Sequence, residues 1–175
     1  MLKNATVLAL VLAAAPLAAQ PASLALLGYH TAVPAGWKSR APRSSMRLAE
    51  FEIAAPDGKL GSEVVVYFFG KWQGGTVDAN LKRWKAQFST PDGSPVPETI
   101  TRDSTGTFPI TFAEYRGTYA RGVGMGSPEA AKPGQTLLAG IAETPQGTLF
   151  IQLFGTTANV VAQRKALMAF ARGIK

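Results

Sequence analysis

Two apolar segments, residues 136–144 and 148–155, constrain the fold more than any other part of the chain. They flank the short sequence Pro145-Gln146-Gly147, and Pro and Gly both interrupt strands and favour turns. The spacing therefore predicts a β-hairpin. Because a short turn can join only antiparallel neighbours, the hairpin favours a largely antiparallel sheet over a doubly wound parallel one.

Further strands are predicted wherever apolar residues alternate with polar ones or form short runs rich in β-branched and aromatic side chains. These segments are residues 29–33, 46–54, 63–69, 98–103 and 108–119. Residues 38–45 are predicted to be a basic connector. Residues 120–135 are rich in Gly and Pro and are predicted to form a long surface loop.

Two segments change to the period of a helix. The first begins after the cap residue Thr76 and aligns Val77, Leu81, Trp84 and Phe88. The second begins near Thr156 and Thr157 and aligns Val160, Leu167, Ala171 and Ile174. The expected fold class is α+β, with a mostly antiparallel sheet of about six or seven strands flanked by two main helices.

The amino terminus has the pattern of a secretory signal peptide. Lys3 precedes the apolar residues 7–15, and small residues follow as far as Ala19. We expect a signal peptide over residues 1–19, with cleavage after Ala19 or as late as Ala25, and a single globular domain over residues 26–175. The expected location is periplasmic or secreted. No Cys is available for a lipid anchor, and no transmembrane anchor is expected in the mature chain.

The composition limits the kinds of catalytic and metal-binding site that the chain can form. The chain has no Cys and a single His, His30, which excludes thiol nucleophiles and thiolate metal sites and leaves little from which to build an imidazole site. We expect no catalytic residue, no metal and no cofactor. The formal net charge of +7 attracts anionic partners, but no nucleic-acid-binding motif is visible and none is expected.

The glycine-rich residues 70–75, between a predicted strand and a predicted helix, are the candidate ligand-binding site. A helix amino terminus can present backbone amides to an anion, and Trp72 offers a stacking surface for a sugar ring or peptide. The candidate residues are Trp72, Gln73, Gly74 and Gly75. The alternative is a structural turn with Trp72 packed over the sheet edge.

Three carboxylates, Glu50, Glu52 and Glu63, are predicted to approach one another on neighbouring strands. Such a cluster could serve a hydrolase or hold Ca²⁺, although strands often carry Glu on their solvent side.

Two basic groups could meet anionic lipid or a phosphate-bearing polymer, or simply be solvated. They are Lys38, Arg40, Arg43 and Arg47 in one run, and Lys82, Arg83 and Lys85 on the first helix.

The chain resembles the PsbP-like family, named for an extrinsic photosystem protein, over most of its mature length. The residues that carry the resemblance are Val33-Pro34-Ala35-Gly36-Trp37, Trp84 in the first helix, and residues 149–155. Residues 67–70, 73–75 and 117–119, with Asn80 and Trp84, are also similar to a group of exported bacterial proteins of unknown function. The resemblance implies an α-β-α sandwich, an exported location and an accessory or binding role. It implies no catalytic residue.

The leading hypothesis is therefore an exported, non-catalytic accessory or binding protein of the bacterial cell envelope. Its partner would be an envelope polymer, an anionic ligand or another protein. The alternative is a hydrolase that acts on an envelope or extracellular substrate through the three carboxylates. Weak peripheral association with a membrane is a third possibility.

Overall fold

A computed structural model describes residues 22–120 and 130–175, which form ten strands and two helices. The predicted signal peptide and most of the predicted glycine-rich loop lie outside the described residues. In chain order the elements are β1 (Ser23–Leu26), β2 (Tyr29–Ala32), β3 (Trp37–Arg40), β4 (Arg47–Ala54), β5 (Leu60–Tyr67), α1 (Val77–Lys85), β6 (Phe88–Ser89), β7 (Glu98–Asp103), β8 (Ile110–Tyr119), β9 (Lys132–Thr144), β10 (Gly147–Thr156) and α2 (Thr157–Arg172).

Eight of the strands form one sheet in the order β3-β4-β5-β10-β9-β8, with β6 and β7 both paired to the outer side of β8. Every pairing is antiparallel. The predicted hairpin is confirmed as β9 and β10, which pair along their length from Gly147 opposite Thr144 to Thr156 opposite Gln135. The α+β class, the antiparallel sheet and the two helices are as the sequence predicts.

Three strands were not predicted. Phe88, which the sequence assigned to the first helix, begins β6 instead, since α1 ends at Lys85. β3 occupies the first half of the predicted basic connector and pairs with β4, with Trp37 opposite Ile53. β1 forms a separate two-stranded sheet with β2. In addition, residues 132–135 of the predicted loop belong to β9. The sheet is therefore wider than the six or seven strands expected.

Apolar cores lie on both faces of the sheet. On one face, α2 and the β1-β2 hairpin cover side chains that include Phe51, Val64 and Leu153. On the other face, Trp84 of α1 packs with Ile141 and Phe150. The alternation along each strand produces both cores, because successive side chains point to opposite faces.

Helix α1 covers only part of its face. It contacts β8, while the outer strands β4 and β5 lie beyond it. On this face β4 carries Glu50 and Glu52, and β5 carries Glu63 and Tyr67. The uncovered part of the sheet beside α1 is therefore polar, and it borders the candidate site.

Candidate functional site

A groove of about 460 Å³ lies on the α1 face, between the helix and the uncovered strands. Five aromatic side chains line it: Tyr67, Phe69, Trp84, Tyr119 and Phe150. Its polar lining includes Arg47, Arg83, Gln87 and Gln152. A smaller pocket of about 110 Å³ adjoins it and shares several of these residues. Concave sites with apolar walls and a few polar groups are typical of ligand binding.

Four of the five aromatic rings of the groove form a connected wall. Tyr67 and Phe69 stack nearly parallel with centroids 6.0 Å apart. Phe150 meets the Phe69 ring edge-on at 5.5 Å and the Trp84 ring at 6.2 Å. Because each ring is held by another, the wall joins strand β5 to helix α1 through β10.

The predicted site residues belong to residues 70–75, here called the Trp72 loop, which passes directly behind this wall. Gly74 has φ +93°, and a Cβ at this position would lie 2.8 Å from Cε2 of Phe150. Only glycine fits such a backbone conformation at so close an approach. The carbonyl oxygen of Gly74 accepts a hydrogen bond of 2.8 Å from Nδ2 of Asn80, and that of Thr76 accepts one of 2.9 Å. Asn80 is buried and therefore anchors the loop to α1.

Trp72 itself projects away from the protein. Its side chain is 86% exposed, and its backbone adopts φ +63°, in the left-handed region that is unusual for a bulky residue. The ammonium group of Lys71 lies 5.6 Å from the centroid of the ring. Trp72 does not line the groove. The alternative in which Trp72 packs over the sheet edge is therefore wrong.

The other candidate residues of the loop do not form an anion site. The backbone N–H of Gln73 donates to the carbonyl oxygen of Gly70 over 3.1 Å, and its side chain is exposed. Gly75 is exposed with φ +81°. At the start of α1, Thr76 Oγ1 already accepts from the N–H of Ala79, and Asp78 adds a carboxylate to the first turn. A second anion would be repelled there.

Glu50 lies on the face of β4 opposite the apolar residues, but it is not exposed to solvent as carboxylates on strands often are. Its side chain is fully buried, because three arginines from residues 40–47 surround it. Nε of Arg40 and Nε of Arg43 each donate to Glu50 Oε2 over 3.0 Å. The backbone N–H of Arg43 donates to Oε1 over 2.6 Å, and Arg47 Nη1 lies 3.0 Å from the same oxygen. Burial alone would raise the pKa of Glu50, but the bonds from Arg43 and the charge of Arg47 outweigh it, so the pKa is lowered.

The other two predicted carboxylates join the same cluster. Glu52 pairs with Arg40, and Glu63 pairs with Arg43 and lies 3.6 Å from Arg47. The sequence therefore correctly brings the three glutamates together, but three guanidinium groups balance their charge. A general acid needs a raised pKa, and Glu50 has the opposite. The cluster is thus poorly suited to hydrolysis, and its arginines are not free to form a cationic patch.

Comparison with solved structures shows the fold. The solution structure of cyanobacterial PsbP from Synechocystis sp. PCC 6803 matches with a TM-score of 0.56 at 10% sequence identity, covering 89% of this chain and 92% of that chain. The chain has a PsbP-like fold. The crystal structure of a protein of unknown function from Pseudomonas aeruginosa, described as a putative regulator, is 13% identical, with a TM-score of 0.45 over 86% of this chain and 92% of that chain. No protein-family model and no curated protein matches the chain.

Within this PsbP-like fold, the groove is the feature that sequence reasoning missed. Arg47, Arg83 and Phe150 line it from three distant parts of the chain, so no local spacing reveals it. Asn80 does not line the groove, but its Oδ1 accepts a hydrogen bond from Nη2 of Arg83, which does.

The single histidine and one lysine of the second basic group make structural contacts. His30 is exposed on β2, and its backbone N–H and C=O pair with Lys175 over 3.0 and 3.1 Å. Lys85 of the second basic group pairs with Glu98. Across residues 22–120 and 130–175, no three His, Cys, Asp or Glu side chains are arranged to hold a metal. In the same ranges, neither helix is long and apolar enough to span a membrane.

Proposed function

We propose that this protein is an exported, non-catalytic accessory protein of the bacterial cell envelope that binds its partner through the Trp72 loop. Export rests on the amino-terminal pattern of Lys3 followed by the apolar residues 7–15. The accessory role agrees with the arginine-paired carboxylates, which lack the chemistry of a general acid.

The observation that carries the proposal is the conformation of Trp72. A tryptophan that is 86% exposed gives up most of the burial that large aromatic residues normally contribute to folding. Its left-handed backbone costs about 1–2 kcal/mol more for a residue with a Cβ. Folding gains from neither feature, whereas an exposed ring beside the cation of Lys71 suits contact with a partner.

The test compares two exposed apolar residues. Purified protein is sedimented with bacterial envelope fragments, and the bound fraction is measured for the wild type, Trp72→Ala and Leu60→Ala. Leu60 is 62% exposed at the start of β5 and serves as the matched control. We expect Trp72→Ala to weaken binding about tenfold, as loss of a central aromatic anchor does, and Leu60→Ala to change it little.

Circular dichroism confirms that both variants remain folded. Equal binding by the wild type and Trp72→Ala would exclude the Trp72 loop as the contact. Repeating the sedimentation with anionic vesicles at low and high salt separates a lipid from a polymer or protein partner, because binding to lipid charge falls as salt rises.

A further inference from the structure

We propose that the groove beside α1 binds an amphipathic carboxylate, whose apolar body packs on the aromatic wall and whose carboxylate pairs with Arg83. This site is separate from the Trp72 loop, because Trp72 does not line the groove. The binding role proposed above therefore stands or falls independently of it.

The shape and lining of the groove favour a small molecule with an apolar body. Its volume of about 460 Å³ lies within the range of about 300–1,000 Å³ that is usual for ligand pockets. Phe69, Trp84 and Phe150 present rings to it that already hold one another in place. A rigid, preformed wall lowers the entropic cost of binding.

The charge of the groove favours an anion. Two arginines and no carboxylate line it. Arg47 is partly balanced by Glu50 and Glu63, but Arg83 makes no ion pair with any of the described residues. The guanidinium of Arg83 instead donates from Nη2 to Oδ1 of Asn80, a neutral acceptor. The positive charge of Arg83 therefore lies at the groove and is not neutralised by a carboxylate of the described residues.

The donors of the groove agree with this assignment. Arg47 adds a second positive charge to the lining, although its Nη1 already lies 3.0 Å from Glu50 Oε1 and 3.6 Å from Glu63 Oε1. Burial raises the pKa of Tyr67, which keeps its hydroxyl protonated and able to donate. An oxygen-rich, negatively charged head group suits donors of this kind, and guanidinium groups pair with carboxylates in a fixed fork.

The experiment titrates the purified protein with two matched ligand pairs by isothermal calorimetry. The pairs are 2-naphthoate with 2-naphthalenemethanol, and octanoate with octanol. We expect at least one carboxylate to bind at about one site per chain, and its alcohol to bind at least about tenfold more weakly, because a charge-assisted bond is lost. Binding of the naphthoate alone identifies an aromatic ligand, and binding of octanoate alone identifies an aliphatic one.

Charge variants of α1 test the role of Arg83. Arg83→Gln should weaken carboxylate binding about tenfold, and Arg83→Lys should largely retain it. Lys82→Gln makes the same change of net charge one residue away, on a side chain that does not line the groove, and should have little effect. Gln152→Phe fills the groove and should abolish binding of acid and alcohol alike. Trp72→Ala should leave all affinities unchanged.

Three results would overturn the proposal. The first is that neither carboxylate binds. The second is that the alcohols bind as tightly as the acids. The third is that Lys82→Gln weakens binding as much as Arg83→Gln, which would show a general effect of charge.

Discussion

Nδ2 of Asn80 donates a hydrogen bond of 2.8 Å to the carbonyl oxygen of Gly74, which ties the first helix to the loop that exposes Trp72. The same nitrogen donates to the carbonyl oxygen of Thr76 over 2.9 Å, so one side chain holds the end of the loop and the cap of the helix. The position of Trp72 therefore depends on a residue eight positions away that is itself buried.

Replacing Asn80 with Ala should destabilise the protein by about 1–3 kcal/mol, because the Gly74 carbonyl group loses its side-chain donor. The Thr76 carbonyl group keeps the bond that it accepts from the backbone N–H of residue 80. Urea unfolding followed by circular dichroism measures the loss. Gln73→Ala alters an exposed side chain in the same loop and should change the unfolding free energy by less than about 0.5 kcal/mol. An Asn80→Ala variant as stable as Gln73→Ala would mean that the loop holds its shape without Asn80.

Gly74→Ala should be more harmful than Gly93→Ala, although both glycines have positive φ, +93° and +73°. At Gly93 nothing lies within 4 Å of the added Cβ, so only the backbone cost of about 1–2 kcal/mol applies. At Gly74 the Cβ would meet Phe150 at 2.8 Å, which adds an overpacking cost of about 1–3 kcal/mol. Paired urea titrations give the difference, and equal losses would show that Phe150 moves aside freely.

The sequence predicted most of the sheet because the signals for its strands are local. Strands β4, β5, β9 and β10 show alternation or dense apolar runs that follow directly from the pleat. β3 gave no such signal. Of its four residues only Trp37 is buried, while Lys38 and Ser39 are exposed on an edge strand, so the segment has the composition of a connector.

The candidate site was less predictable, because it depends on contacts between distant residues. Alternation along β4 correctly placed Glu50 opposite the apolar face, but it carries no information about the arginines that bury it. The sequence left both an exposed and a packed Trp72 open, and neither the left-handed backbone nor the exposure of the ring has a sequence signal. Side-chain pairing and loop conformation are tertiary properties, which no periodicity encodes.

Glu50→Gln should destabilise the protein by about 3 kcal/mol or more, because it leaves guanidinium groups around a buried position with no negative charge. Glu52→Gln is the matched control two residues along the same strand. The Glu52 side chain is 43% exposed and, within the described parts of the chain, forms an ion pair only with Arg40, so its loss should cost less than about 1 kcal/mol. Thermal unfolding of both variants at neutral pH measures the contrast. Similar melting temperatures would show that solvent screens the cluster.

Stability should fall in acid partly through Asp103. Arg172 donates to Asp103 Oδ2 from Nε over 2.8 Å, and Thr105 bonds Oδ1, so the pKa of Asp103 falls to about 2. A carboxylate with a lowered folded pKa contributes stability that is fully present above its unfolded value, about 3.9, and is lost as the pH drops towards 2. Glu50 has a lowered pKa and contributes with the same sign.

Asp103→Asn should therefore flatten the fall in unfolding free energy between about pH 4 and pH 2, which urea titrations at several pH values reveal. Arg172→Gln removes the partner and should flatten the same region. The double variant should add little to either change, because the two single variants break one interaction. Unchanged slopes in both single variants would assign the acid sensitivity to other carboxylates.

Export through the proposed signal peptide should yield a mature chain that begins at Gln20 rather than at Leu26. Cleavage after Ala25 would remove three of the four residues of β1, whose Leu26 is only 1% exposed and whose strand pairs with β2 from Ser23 opposite Ala32. Cleavage after Ala19 leaves the hairpin whole, together with the bond from the Val33 N–H to the Ala22 carbonyl oxygen. Intact-mass measurement of the protein recovered after export distinguishes the two products. A mass that begins at Leu26 would mean that the fold tolerates the loss of β1, and that α2 packs against β2 without its partner strand.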